Sequence, residues 1–403
     1  MARPIVVQPD EQTRVPFLRG ILTRSLQKAG LTFEESYRVA SAVRDGLSSH
    51  GEITTGHLRT LVLSHLEALG PEVVSRYQNP SRPVATIIVE SPEDGPTPYS
   101  RGRHSQDLLA AGLTADDAVA ITDQLYVGLL TRRRSHISSD ELRALTYDHI
   151  DTTLGFEAAQ RYNVWQEFMD DSRPLVVLIG GAVGCGKSTI ATELAHRLQI
   201  VRTQSSDMLR EVMRTMISSR LLPILHESTY TAWTGLPRVQ AGETEVRSDP
   251  PPGEADIKLL NEGFLSQSEL VSVASDAVLR RAIQERVSII VEGVHVHPSF
   301  ARRIPEDSDA IVVHVMLAVL RKKKLKARIK GRGRQTPDRR AERYLTNFEA
   351  IWEIQSALLD EADRLGVPIV ENDDKEVAVN EVVQVILDTL STHYTGVLAE
   401  PRS

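Results

Sequence analysis

A single cysteine, Cys185, stands in a chain of 403 residues. One thiol excludes an intramolecular disulfide and any zinc site built from cysteines, and it favours a reducing cytoplasm. Positive charge is not in excess: 47 Lys and Arg against 54 Asp and Glu leave a formal net charge of −7. Without a global basic field, non-specific nucleic-acid binding is not the expected role, although local basic runs are present. No apolar run reaches membrane-spanning length. Met1 to Glu11 carries Arg3, Asp10 and Glu11 around a short apolar patch and lacks a signal-type core. The expectation is a soluble cytoplasmic protein with neither membrane nor nucleic acid as partner. The chain is 41% hydrophobic and 25% charged, an ordinary folded composition, and its length suits two or three domains.

The strongest local signal runs from Leu175 to Ala195. Leu175, Val176, Val177, Leu178 and Ile179 form a continuous apolar run, as expected of a parallel strand covered on both faces. Gly181, Ala182, Val183, Gly184, Cys185, Gly186, Lys187 and Ser188 then fit G-x-x-x-x-G-K-[ST] at every defined position. Glycines let the backbone N–H groups converge on one concavity, and the helix beginning near Lys187 adds its positive end there. Glycines alone would also serve a tight turn. Lys and Ser directly after an apolar strand call for more, namely a triphosphate, with Lys187 bridging the β- and γ-phosphates and the Ser188 hydroxyl on Mg²⁺.

Upstream, the sequence repeats. Phe17-Leu-Arg-Gly20, Leu26 and Ala29-Gly-Leu-Thr32 recur as Tyr99-Ser-Arg-Gly102, Leu108 and Ala111-Gly-Leu-Thr114. Ile53, Leu58, Leu61 and His65 find counterparts in Ile137, Leu142, Leu145 and His149. Two related modules result, 1–80 and 84–169, each opening with a short extended run (Pro4 to Val7; Ala85 to Val89) and continuing mostly helical. Val39, Val43 and Leu47, and Ile121, Leu125 and Leu129, fall at helical spacing in the same register. Thr54 and Ser138 or Ser139 suit the N-caps of later helices. The layout resembles a tandem ATP-cone. The basic cluster expected on the opening strands is replaced by Gln8-Pro-Asp-Glu11 and Glu90-Ser-Pro-Glu93, leaving Arg19 and Arg101, so a scaffold or dimerisation role, and with it a homo-oligomer, stands beside nucleotide binding.

A second domain is expected over 174–395, after the polar segment Asp170 to Pro174. Ile200 to Thr203 reads as its second strand, and Asp207 follows at the strand's carboxyl end, where ligands bind in open α/β sheets. Asp207 suits either a helix N-cap or a carboxylate that deprotonates an acceptor hydroxyl and holds Mg²⁺ through water. Thr234 to Lys258 is expected as a surface insertion, Glu262 to Glu285 as a helix, and Val287 to Val291 as a third strand ending in Glu292, the second acidic group for Mg²⁺. His295 and His297 follow, with substrate contact or loop packing as their reading. Ala310 to Leu320 reads as a fourth strand, and the basic run near 321–343 as a lid whose arginines, foremost Arg328, Arg332 and Arg334, close over the transferred group about Gly331 and Gly333. A helix over Arg339 to Arg364, a fifth strand at Val367 to Val370, Asn372 near the adenine, and a helix from Glu376 to about Leu390 complete the domain.

With these residues in place, the chain resembles the 2-phosphoglycerate kinase family. The resemblance is carried by Phe17 to Leu26, Gly180 to Ser188 with Thr189, Ser206-Asp207-x-x-Arg210-Glu211-Val212-x-Arg214, Leu225-His226-x-Ser228-x-Tyr230-x-Ala232-Trp233, Glu292-Gly293-x-His295-x-x-Pro298, and Arg343-Tyr344. It implies an α/β P-loop kinase domain with a doubly wound parallel sheet behind two α+β, mostly helical ATP-cone-like modules. It also implies ATP-dependent phosphorylation of 2-phosphoglycerate to 2,3-bisphosphoglycerate, with ATP and Mg²⁺ as cofactors and a small anionic molecule as partner. The nucleotide is expected on Gly181 to Thr189 and Asn372. The acceptor is expected on Arg210, Arg214, His226, Tyr230, Trp233 and His295, and the metal on Ser188, Asp207 and Glu292. Another small acceptor, such as an inositol or sugar phosphate, or a nucleotide-sensing regulator, is the competing reading. The helix end and Lys187 beside Cys185 suggest a reactive thiolate that ATP would shield, against an inert packing role.

Overall fold

The computed structural model describes residues 5–7, 14–28, 31–47, 52–78, 87–92, 95–132, 134–237, 254–305, 307–335 and 341–395. Two compact units emerge: Met1–Tyr99 with Leu129–Ser138, and Ser100–Gly128 with Ser139–Ser403. Among the described residues no helix is long and apolar enough to cross a membrane.

The chain begins with Ile5–Val7 (β1), Arg14–Pro16 (β2), Arg19–Lys28 (α1), Phe33–Gly46 (α2), Glu52–Thr54 (β3), Thr55–Glu67 (α3) and Pro71–Gln78 (α4). β1 pairs antiparallel with β2 and parallel with β3. Thr32 and Glu35 close a capping box at the start of α2, and the Thr54 hydroxyl accepts from His57 N at the start of α3. Leu22, Leu26, Val39, Val43, Val62 and Leu66 bury the faces so presented. The pattern then recurs: Ile88–Ser91 (β4), Gly95–Pro98 (β5), Arg101–Ala110 (α5), Ala115–Thr131 (α6), His136–Ser138 (β6), Ser139–Leu154 (α7) and Phe156–Asp170 (α8). β4 again takes the centre, antiparallel to β5 and parallel to β6.

The second unit continues through Leu175–Gly180 (β7), Lys187–Arg197 (α9), Arg202–Ser205 (β8), Ser206–Met216 (α10), Pro223–His226 (α11), Glu254–Gln284 (α12), Ile289–Glu292 (β9), Ile311–Ala318 (β10), Lys322–Gln335 (α13), Ala341–Thr346 (α14), Phe348–Leu365 (α15), Ile369–Glu371 (β11) and Lys375–Ser391 (α16). Its five strands lie in the order β11-β10-β7-β9-β8, every pair parallel. The alternation of a strand divides β7 between two cores. Leu175, Val177 and Ile179 pack with Ile190, Leu194, Leu358 and Val382, whereas Val176 and Leu178 pack with Leu279, Ala282 and Phe300 on the other face. Helices therefore cover both faces, and the sheet is doubly wound. Within this unit, Gln106 of α5 caps the end of α9, its Nε2 donating to the His196 and Arg197 carbonyls at 2.7 and 3.2 Å.

Three boundaries differ from expectation. α12 starts at Glu254, so the end of the expected insertion is helical; acidic residues at 254 and 256 suit a helix N-terminus, and 238–253 lie outside the described residues. The single helix expected over 339–364 is two, α14 and α15, parted at Asn347, whose side-chain amide donates to the Arg343 carbonyl at 2.9 Å. Gly331 and Gly333 lie inside α13 and form no break.

His314, on β10, is buried with neither ring nitrogen partnered among the described residues. Burial pushes its pKa down to about 4, as it does for His104 and His295. All three stay neutral in the fold but take a proton near 6.5 when unfolded, so between about 6.5 and about 4 the unfolded chain binds more protons. Stability is therefore full above that window and falls as pH falls through it. His314→Leu should leave stability near pH 7 unchanged or higher, since an unpaired buried polar group is removed. It should also flatten the acid slope by up to about 1.4 kcal/mol per pH unit. Urea unfolding at several pH values checks this, and an unchanged slope would contradict it.

Candidate active site

The site is built where β7, β8 and β9 end together. β7 leads into the phosphate loop, and the turn passes so close to β10 that a Cβ at Gly181 would lie 2.3 Å from the Leu317 carbonyl oxygen. Its φ of +135° also belongs to glycine. The loop then enters α9, whose first residue, Lys187, is 8% exposed, and whose Nζ donates to the Ala182 carbonyl at 2.9 Å. Behind the loop, Asn372 is buried, and its Nδ2 donates to the Cys185 carbonyl at 2.7 Å while its N–H donates to Ala318 O. The expected nucleotide contact at Asn372 thus gives way to a strut that fixes the loop backbone. Cys185 is also fully buried, which favours the packing role over the reactive thiolate.

Ser188 Oγ donates to Glu292 Oε1 at 2.9 Å. Glu292 ends β9, in register with Ile179 and Ser205 on its two neighbours, and Gly293 follows with φ +151°. A Cβ at Gly293 would lie 1.7 Å from Ser206 Oγ, so this glycine is what lets α10 start against β9. The donor set at Ser188 and Glu292 is all oxygen and fits Mg²⁺. No cluster of three His, Cys, Asp or Glu suited to a metal occurs among the described residues.

Asp207 lies in the first turn of α10, two residues past the position a cap would need, because Ser205 is the N-cap. Its side chain is 65% exposed, with Oδ1 3.6 Å from His295 Nδ1. His295 itself is enclosed. Its Nδ1 meets Ser206 Oγ at 3.1 Å and its Nε2 meets Gln267 Oε1 at 3.3 Å. Since Gln267 Oε1 only accepts, the proton sits on Nε2 and Ser206 donates to Nδ1. Burial holds the ring neutral, with Asp207 opposing and Arg210 and Lys187 adding to that effect. With 1% of its side chain exposed, His295 has no surface for the expected substrate contact and instead positions the start of α10. Gln267 continues the network, donating to Ile224 O and to Glu227 O, and Arg210 Nη1 donates to the same Glu227 carbonyl at 2.5 Å.

The remaining expected residues divide. Arg214 lies one turn beyond Arg210 and pairs with Glu211 at 2.9 Å. His226 donates from Nε2 to Ile217 O at 2.8 Å and closes the segment after α10. Tyr230 is buried edge-on to Tyr344 at 5.8 Å. Trp233 lines a separate cleft of about 440 Å³ with Leu260, Asn347 and Glu353, which no phosphate-loop residue joins. On α13, Arg328 Nη2 donates to Asp373 O at 3.3 Å and Nη1 passes close to Gly186, while Lys324 and, just before the helix, Arg321 pair with the Asp373 carboxylate. The side chains of Arg332 and Arg334 lie outside the described residues. Ser206 and Gln267 are the participants that sequence reasoning missed.

A phosphate loop with its lysine, and a serine hydroxyl bonded to the Glu292 carboxylate at the carboxyl edge of a parallel sheet, are the parts that handle a nucleotide's phosphates: the class of protein is a P-loop kinase. No protein-family model matches the chain. Curated relatives do. The chain is 33% identical over 300 residues to a 2-phosphoglycerate kinase of Pyrococcus horikoshii, 74% of this chain and 93% of the relative. It is 35% identical over 292 residues to that of Pyrococcus furiosus, 72% and 90%, and 36% identical over 297 residues to that of Methanopyrus kandleri, 73% and 85%. The chain belongs to the 2-phosphoglycerate kinase family.

The burial of Cys185 has a direct readout. Iodoacetamide should label the native protein slowly, at the same rate with and without ATP, and the denatured protein at the rate of a free thiol. Fast native labelling that ATP suppresses would mean the thiol opens onto the phosphate loop.

Proposed function

We propose that the protein transfers the γ-phosphoryl group of ATP to the 3-hydroxyl of 2-phosphoglycerate, giving 2,3-bisphosphoglycerate and ADP in the cytoplasm. The observation that carries the reading is the Ser188–Glu292 hydrogen bond beside Lys187, with Asp207 and Arg210 on the next helix. Backbone N–H groups of 181 to 189 and the Lys187 ammonium hold the β- and γ-phosphates. Ser188 and Glu292 would hold Mg²⁺, with Asp207 through water, and the ion supplies neutralisation of the charge on the bridging phosphates. Asp207 is the exposed carboxylate of the set, and it accepts the proton of the acceptor hydroxyl as the new P–O bond forms and the bond to ADP breaks. Arg328, with Arg332 and Arg334 of the same basic segment, balances the charge on the transferred group.

The two N-terminal modules, over 1–80 and 84–169, act in this reading as ATP-cone-like units that bind nucleotide or join copies of the chain, ahead of a kinase domain over 174–395. Their repeated strand order supports a common ancestry of the pair.

Asp207→Asn should lower kcat by roughly 10² or more while leaving ATP affinity nearly intact, and Lys187→Ala should abolish transfer. ADP release measured over phosphoglycerates, glycerate, inositol phosphates and sugar phosphates tests the acceptor. Turnover confined to an inositol or sugar phosphate would replace 2-phosphoglycerate, and ATP binding with no turnover on any acceptor would indicate a sensor. Normal turnover of Asp207→Asn would remove the general base.

A further inference from the structure

Arg210 and Arg214 follow one another by one turn of α10, and each keeps a buried Nε–H with no hydrogen-bond partner among the described residues. Arg210 bonds to a neutral main-chain carbonyl, that of Glu227, and among the described residues the carboxylate bonded to Arg214 is that of Glu211. A guanidinium drawn out of water and met by a carbonyl alone lacks its counter-ion. Burial weakens the hold of Arg210 on its proton, and Arg214 adds to that effect while Asp207, Glu211 and Tyr344 oppose it. Asp207 is already engaged in the reaction.

A second element reaches the same place. Tyr344 of α14 stacks its ring edge-on to Tyr230 at 5.8 Å, and Arg343 beside it is exposed and acts electrostatically on the Tyr230 hydroxyl, as Arg210 does. Arg210 of α10 and Arg343 and Tyr344 of α14 thus meet around Tyr230, with Asp207 and Arg214 about one turn before and after Arg210 on α10. We propose that Arg210, Arg214, Arg343 and Tyr344 form a single anion subsite, separate from the phosphate loop, that holds the phosphate group the acceptor already carries. A phosphate suits it better than a carboxylate. The two arginines of α10 stand about one 5.4 Å helical pitch apart. A dianion with three terminal oxygens can give each of three donors an oxygen of its own, whereas a carboxylate has two oxygens and half the charge. The inference rests on reading the protein as a kinase of a phosphorylated acceptor.

The test pairs kinetics with direct binding. Arg343 is exposed, so Arg343→Ala leaves the core intact. Arg343→Ala should raise KM for 2-phosphoglycerate by ten-fold or more, and Tyr344→Phe several-fold, with kcat changed less than three-fold and ATP affinity unchanged. KM for glycerate, which lacks the phosphate, should not move. Separately, the protein saturated with a non-hydrolysable ATP analogue is titrated with inorganic phosphate. The unaltered chain should bind it, and Arg343→Ala at least ten-fold more weakly. Phosphate binding that depends on Arg343 in a protein that phosphorylates no tested acceptor would uphold the subsite and sink the proposed reaction. Turnover of 2-phosphoglycerate with KM and phosphate binding both within two-fold in Arg343→Ala would do the reverse.

Discussion

The phosphate loop is possible because nothing stands between its first glycine and the main chain of β10. A Cβ at Gly181 would overlap the Leu317 carbonyl, and that closeness lets the loop turn back over the end of the sheet instead of running on. The Asn372 side chain, donating to Cys185 O, ties the far limb of the same loop to the strand beyond β10. A concavity of N–H groups has value only if it is rigid before the phosphate arrives, because donors that must be ordered on binding lose part of what they contribute. The buried Cys185, Leu325 and Ile329 around the loop serve that rigidity.

A second constraint sets the start of α10. Gly293 admits Ser206, Ser206 donates to His295, His295 donates to Gln267, and Gln267 shares the Glu227 carbonyl with Arg210. The chain of bonds joins the end of β9, the start of α10 and the segment after α11 into one buried network. Ser206, His295 and Gln267 each have a partner, which is the condition under which buried polar groups add order rather than cost. Asp207 and Arg210 project from this fixed base, so both are tied through the start of α10 to the strand end that carries Glu292.

What was legible in the sequence was local. The apolar run at 175–179, the glycine spacing, Lys187 and Ser188, and a strand ending in Glu292 specify main-chain geometry within a few residues, and the sheet follows from them. Asn372 meets Cys185 across 187 positions, and His295 meets Gln267 across 28, and no periodicity marks either pair. His295 looked like a substrate contact because a histidine after an acidic strand end is polar and close to the loop; only the packing of α12 over it shows that it is enclosed. The break at Asn347 was equally hidden, since its flanks, Arg343 to Thr346 and Phe348 to Leu365, each have the composition of one continuous helix.

The central claim is that the Lys187–Ser188–Glu292 edge and the Asp207–Arg210 face work on one transferred phosphoryl group. Phosphorus NMR of a mixture of the protein, ATP, Mg²⁺ and 2-phosphoglycerate follows that group directly. The γ resonance of ATP should decline as two monoester resonances of one product grow in equal intensity beside those of ADP. Growth of inorganic phosphate instead, with the 2-phosphoglycerate resonance unchanged, would contradict the claim.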